Sequence, residues 1–279
     1  MTDQSDIFEE LGVIALIGGG KMGEGIVAGL VQGVMLDPRQ IIVADPNEHR
    51  REHFIATYGV DCVASGEQIQ GVNTCILAIK PQVLKEVASR LAQATTFVPK
   101  RVISIAAGVD TQTLSDLFNK EANKIAIVRV MPNTPLLVGA GMSAVAIADG
   151  TPVAEGELAR SLFALMGEAV LVDEAQMNAI TALSGSGPAY FALLAEEMAQ
   201  AACAMGIAAD RAEQLSVQTL IGTARQLQLS GISPTELRQA VTSPGGTTQA
   251  ALESFADDGF GQIVAKAVKA ARRRAEEMA

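Results

Sequence analysis

Short, almost unbroken apolar runs alternate with amphipathic stretches through the first half of the chain. Runs at residues 13–17, 41–44, 74–79, 101–106 and 125–130, rich in Val and Ile, read as strands. Between them, residues 22–35, 47–58, 83–92 and 111–118 carry helical spacing. Strands apolar on both sides and separated by helices predict a parallel sheet covered on both faces. A further strand at 142–148 closes this half, and the alternation stops there. From residue 174 onward the pattern is helical and Ala-rich, at 174–183, 189–205, 211–229, 235–241, 247–256 and 260–278. Gly206, Gly231 and Gly259 punctuate these helices, and Ser233-Pro234 and Ser243-Pro244 read as helix starts. The expected layout is an α/β domain over residues 1–172 followed by an all-α domain over residues 173–279.

Composition narrows the function classes. The 279 residues are 49% hydrophobic and 19% charged, with mean hydropathy +0.27. That is too apolar for disorder, and it points to a chain that hides surface in an oligomer. The net charge of −10 argues against a nucleic-acid partner, because phosphate neutralisation supplies most of such affinity. Cys62, Cys75 and Cys203 lie far apart with no CxxC, so neither disulfides nor a cysteine zinc site is expected, and a reducing compartment fits. Residues 175–195 are uncharged and long enough to span a bilayer, but Ser184-Gly185-Ser186-Gly187-Pro188 would break a lipid-exposed helix. A buried or interfacial helix with a turn is expected instead. The acidic N-terminus lacks the basic and apolar regions of a signal peptide, and a cytoplasmic location is expected.

The strongest local signal follows the first strand. Gly18-Gly19-Gly20-Lys21-Met22-Gly23 is a GxGxxG turn leading into a helix. Gly18 permits the tight turn, Gly20 admits a pyrophosphate close to the backbone, and Gly23 lets helix and strand approach. The helix head then offers unpaired N–H groups to the anion. Such turns carry an acidic residue about twenty positions on, where Asp45 stands. Asp45 would accept from a ribose 2′-hydroxyl and disfavour a 2′-phosphate, while Arg50 and Arg51 would favour that phosphate. NADH and NADPH therefore both stay open, and Asp45 has a second reading as a helix N-cap.

Both histidines sit in His49-Arg50-Arg51-Glu52-His53. With two arginines beside them and no third ligand, they read as a solvated helix face rather than a metal site, and no metal is expected. The helical half has no histidine to act as a strong base on an alcohol substrate. Hydride transfer to an imine needs no such base. Two Gly-rich segments, 184–190 and 243–249, each lead into a helix, where exposed amides suit a carboxylate. Each equally suits a capping loop packed against another helix. Met131-Pro132-Asn133-Thr134-Pro135 and Ile79-Lys80-Pro81 follow strands, on the edge where ligands bind in such sheets.

Together these blocks resemble the pyrroline-5-carboxylate reductase family over nearly the whole chain. The resemblance rests on residues 18–23, 78–81, 104–109, 129–135 and 183–190, and above all on Val241-Thr242-Ser243-Pro244-Gly245-Gly246-Thr247-Thr248. It implies a Rossmann-type domain followed by a helical dimerisation domain, a homodimer, and larger assemblies of dimers. It implies a small-molecule substrate and reduction of 1-pyrroline-5-carboxylate to L-proline by NADPH or NADH. Gly18, Gly20, Lys21, Met22, Gly23, Asp45, Lys80, Pro81, Asn133, Thr134 and Pro135 would then hold the cofactor. Ser243, Gly245, Gly246 and Thr247 would bind the substrate carboxylate, and Thr248 would bond the ring nitrogen. A β-hydroxyacid dehydrogenase shares the layout but carries a catalytic Lys on the helix after Gly187, where this chain has Pro188-Ala189-Tyr190-Phe191. A dinucleotide sensor would have no need of residues 243–248.

Overall fold

The computed structural model describes residues 4–34, 36–119 and 124–278. They form two compact units, one reaching to Gly185 and including the segment from Ala271 onward, the other Ser186–Ala270. The first unit is built on an eight-stranded sheet of order β3-β2-β1-β4-β5-β6-β7-β8. The strands are β1 (Ile14–Ile17), β2 (Ile41–Ala44), β3 (Asp61–Val63), β4 (Thr74–Leu77), β5 (Arg101–Ser104), β6 (Ala126–Met131), β7 (Gly141–Ile147) and β8 (Gly167–Leu171). The helices of this unit are α1 (Gln4–Leu11), α2 (Lys21–Ala28), α3 (Glu48–Tyr58), α4 (Pro81–Gln93), α5 (Thr111–Phe118), α6 (Val153–Ala164) and the short α7 (Met177–Ile180).

Both faces of the sheet are covered, as unbroken apolar strands require. Ile14 and Leu16 enter one core with Ile26, Phe54 and Ile76. The alternate residues Ala15 and Ile17 enter the other with Leu77, Leu84 and Leu91. Arg101, 1% exposed, ties elements together from within the fold. Its guanidinium donates to Glu155, Glu10 and the Thr74 hydroxyl at 2.5, 3.0 and 3.0 Å.

The sheet departs from the sequence expectation in three ways. It is not parallel throughout, because β6 and β7 pair antiparallel. Only residues 132–140 join them, too few for the crossover that a parallel pair needs. The alternation also runs past residue 148, since α6 and β8 add another parallel crossover. β8 is mostly exposed and contains Glu168, which hides it from an apolar pattern. The edge strand β3 is three residues long and equally faint. The helix expected at 22–35 ends at Ala28 and opens into a π turn, Gly29–Gly33; Met35 lies outside the described residues. Residues 174–183 are likewise broken into a 3-10 turn, α7 and a π turn, Thr181–Gly185.

The second unit holds α8 (Gly187–Ala204), α9 (Ala209–Ser230), α10 (Pro234–Ala240), α11 (Thr247–Asp257) and most of α12 (Phe260–Glu276). α8 and α9 pack on one another, with Ala212 and Ser216 buried and the Ser216 hydroxyl donating to the Ala195 carbonyl at 2.7 Å. Much apolar surface stays uncovered, including Met205 at 78% and Leu229 at 85% exposure. Among the described residues, no helix is long and apolar enough to cross a membrane.

Ile76, fully buried in central strand β4, tests the two-faced core. Ile76→Ala should cost about 2–5 kcal/mol. It should lower the urea midpoint followed by circular dichroism, and an unchanged midpoint would contradict the packing.

Candidate active site

The Gly-rich turn joins β1 to α2 at the carboxyl edge of the sheet. Gly18 donates to the Ala44 carbonyl at 2.8 Å, tying the turn to β2. Its φ of +105° is a glycine conformation, and a Cβ there would lie 2.6 Å from the Ala78 carbonyl oxygen. A Cβ on Gly23 would lie 2.3 Å from the Gly18 carbonyl oxygen, so only glycine lets α2 start this close to the strand. At Gly20 a Cβ would meet nothing within 4 Å. Gly20 precedes α2 and offers no side-chain cap, which leaves the helix-head amides to a ligand or water. Lys21, Met22 and Gly23 form the first turn of this helix.

Beside the turn lies a cavity of about 510 Å³ lined by Gly18, Gly20, Asp45, Ser65, Ala78 and Lys80, among others. Its walls come from the carboxyl ends of β1, β2 and β4, where ligands bind in such sheets. A dinucleotide fits these residues. The open backbone at Gly20 and the uncapped helix head suit a pyrophosphate, and Asp45 stands at the end of β2 for a ribose.

Asp45 is not the cap of α3, since Asn47 fills that place. The Asp45 carboxylate instead accepts from the Gly19 and Asn47 amides at 2.7 and 2.8 Å. Arg50 turns to the back of the glycine turn, where Nε donates to the Gly19 carbonyl and Nη2 to Glu24, both at 2.7 Å. Glu24 also pairs with His53 Nε2 at 2.6 Å and accepts from the Tyr58 hydroxyl at 3.2 Å. Burial pushes the Glu24 pKa up, but Arg50 and His53 outweigh it and hold the carboxyl below its ordinary value. Burial and the Glu24 charge raise the Tyr58 phenol. His49 is solvated as expected, whereas His53 belongs to this cluster. No sequence signal pairs Glu24 with residues 26 to 34 positions away.

Lys80 stands at the N-cap of α4 and lines the cavity, and Pro81 opens that helix. Asn133 is buried, and both ends of its amide are used by the fold. Its oxygen accepts from the Met142 amide at 2.8 Å and its nitrogen donates to the Ser184 carbonyl at 3.1 Å. Thr134 and Pro135 begin a 3-10 turn, Thr134–Val138.

The segment 243–248 lies in the second unit, between α10 and α11. Gly245 has a φ of +70°, and its amide donates to the Gln249 side chain at 2.8 Å. The Gly246 amide donates to the Ser243 carbonyl at 3.0 Å. These bonds shape the turn and leave the head of α11, at Thr247 and Thr248, without a side-chain cap. Burial raises both Cys75 and Cys62, the latter to about 11 with help from Asp61, so neither offers a thiolate at neutral pH.

A dinucleotide turn on a parallel-dominated sheet, followed by a helical unit, defines a two-unit NAD(P)-dependent oxidoreductase. Residues 13–108 match the family model "NADP oxidoreductase coenzyme F420-dependent", and residues 174–278 match "Pyrroline-5-carboxylate reductase dimerisation". The chain is similar to the pyrroline-5-carboxylate reductase of Haemophilus influenzae, 41% identical over 272 residues covering 95% of this chain and 97% of that one. It is also similar to the solved structure of the enzyme from Coxiella burnetii, with TM-score 0.87, 35% identity, and coverage of 96% and 99%. The Plasmodium falciparum enzyme, solved with NADP bound, gives TM-score 0.83 at 25% identity, with coverage of 96% and 98%. The chain belongs to the pyrroline-5-carboxylate reductase family.

The open space at Gly20 separates binding from folding. Gly20→Ala should leave the thermal midpoint within a few degrees and weaken NADH binding at least tenfold, read by calorimetry. Unchanged affinity would show that no ligand approaches this backbone.

Proposed function

We propose that this chain reduces the C=N bond of 1-pyrroline-5-carboxylate to give L-proline, the last step of proline biosynthesis, with NADH or NADPH as reductant. Family membership over nearly the whole chain carries the reading. The chemistry of the residues supports it. A cyclic imine arrives electrophilic, so the protein has to position it rather than activate it with a strong base. Accordingly, both histidines lie in the cofactor half, at positions 49 and 53.

The reduced nicotinamide supplies the hydride that adds to the imine carbon. Gly18, Gly20, Lys21, Met22 and Gly23 hold the pyrophosphate at the head of α2, and Asp45 takes the ribose. Lys80, Pro81, Asn133, Thr134 and Pro135 border the remainder of the cofactor, Asn133 by shaping the backbone after β6. In the helical unit, Ser243, Gly245, Gly246 and Thr247 form the carboxylate subsite. The uncapped amides at the head of α11 supply its donors, because the Gly245 and Gly246 amides are spent on the turn. The Thr248 hydroxyl bonds the ring nitrogen: hydride addition to the protonated imine leaves a secondary amine with one N–H, which takes a second proton from solvent to give the ammonium of L-proline.

The working form is a homodimer, and association of dimers into a larger assembly belongs to the same reading. The exposed apolar positions of α8, α9 and α12, among them Phe191, Leu229 and Ile263, are the surface that a second copy would cover. The enzyme works in the cytoplasm, in keeping with its thiols and its substrate.

Purified protein should oxidise NADH or NADPH only when 1-pyrroline-5-carboxylate is added. A folded sample inert with both cofactors would refute the activity. Thr248→Ala should lower kcat about 10-fold or more while leaving NADH affinity within twofold, as loss of a transition-state contact does. An unchanged kcat would remove Thr248 from the reaction.

A further inference from the structure

The end of β2 decides which dinucleotide this site accepts, and there Arg50 and Arg51 bond groups of the fold and do not line the cavity. Arg50 is held by the Gly19 carbonyl and Glu24, each at 2.7 Å, with its guanidinium 5.2 Å from the centre of the Phe54 ring. Arg51 donates to the Asp45 and Pro46 carbonyls, both at 2.9 Å. Arg90 lines the cavity and pairs with Glu67 at 3.1 Å and Glu86 at 3.6 Å. Lys80 follows β4, and the strand order places β4 on the other side of β1 from β2. What faces a ribose at the end of β2 is the Asp45 carboxylate, flanked in the cavity wall by Ser65 and Glu67.

A carboxylate only accepts hydrogen bonds. The Gly19 and Asn47 amides fix its orientation and leave lone pairs unused. A ribose 2′-hydroxyl donates to such a group. A 2′-phosphate, carrying close to two negative charges at neutral pH, has no proton to give and is repelled. Glu24 completes the arrangement. Arg50 occupies one of its oxygens, His53 and Tyr58 the other, so the carboxylate is anchored and keeps Arg50 behind the turn.

We propose that this chain selects the dinucleotide lacking the 2′-phosphate, with Asp45 as the discriminating residue and Glu24 as the positioning residue that withholds Arg50. The inference rests on the dinucleotide reading above and goes beyond it by choosing between the two cofactors. Of these two residues, only Asp45 is placed in contact with cofactor.

Titration calorimetry of the full chain without substrate, using NADH and NADPH in turn, tests the proposal. NADH should bind at least tenfold more tightly. Asp45→Ser should bring the two affinities within about threefold. Glu24→Gln should improve NADPH affinity relative to NADH about threefold or more by freeing Arg50, whereas a purely structural role would weaken both alike and leave the ratio unmoved. Equal or tighter NADPH binding by the unaltered protein overturns the selection while leaving the dinucleotide reading intact. An unmoved ratio in Asp45→Ser or in Glu24→Gln removes that residue from it. Failure to bind either molecule overturns the dinucleotide reading, and the selection with it.

Discussion

The close approach of α2 to the end of β1 is the constraint on which the cofactor half depends. It exists because Gly23 presents no Cβ to the Gly18 carbonyl oxygen, which one would meet at 2.3 Å. That contact sets the helix head directly beyond the strand end, with its free amides beside the cavity. Other features keep it there. A Cβ at Gly19 would be 2.9 Å from the buried Phe54 ring, so the turn sits pressed onto α3. Arg50 then links the Gly19 carbonyl to Glu24 on α2. The turn, the second helix and the third are thereby braced against one another before any ligand arrives, which lowers the ordering cost of binding.

The helical unit follows a different economy. Its helices bury few large side chains within the unit and leave Phe191, Met205, Leu229 and Ile263 exposed. A groove of about 740 Å³ between α8 and α9 is lined by Ala192, Ala195, Ala199 and Ala209 with Val217 and Leu220, and by the polar Glu196, Gln200 and Glu213. Small residues let helices pack closely, but they contribute little apolar area each. A unit built this way gains by covering its faces with another chain, in keeping with the dimerisation family to which residues 174–278 belong. The high apolar fraction of the sequence finds its place here.

Legibility followed burial. Central strands such as β4, buried at all four positions, stood out as apolar runs, and β2 and α5 fell on the expected residues. Edge elements did not, because β3 is too short and β8 too exposed to imprint a pattern. The π turn at Gly29–Gly33 has helical composition and gave no local warning, whereas the one at Thr181–Gly185 runs into residues 184–188, which read as a turn. At the site, Gly18, Gly20, Gly23 and Asp45 were readable because their spacing is dictated by one local turn. Asn133 was readable as a position, but not in the use of its amide, which bridges Met142 and Ser184. The Glu24 cluster was invisible because its partners lie more than twenty residues away in sequence.

By itself, the sequence determined the dinucleotide turn, the α/β half followed by the helical half, and the family. Those features are written in local spacing, where each residue type answers to its neighbours along the chain. The antiparallel pairing of β7, the π turn that ends α2 and the bonds of Arg50 and Arg51 were decided only in three dimensions. Two arginines beside an aspartate are ambiguous as a string, because a guanidinium bonds whatever acceptor comes within reach. Folding brought Glu24 and the Gly19, Asp45 and Pro46 carbonyls within that reach, and so left the Asp45 carboxylate to face the cavity.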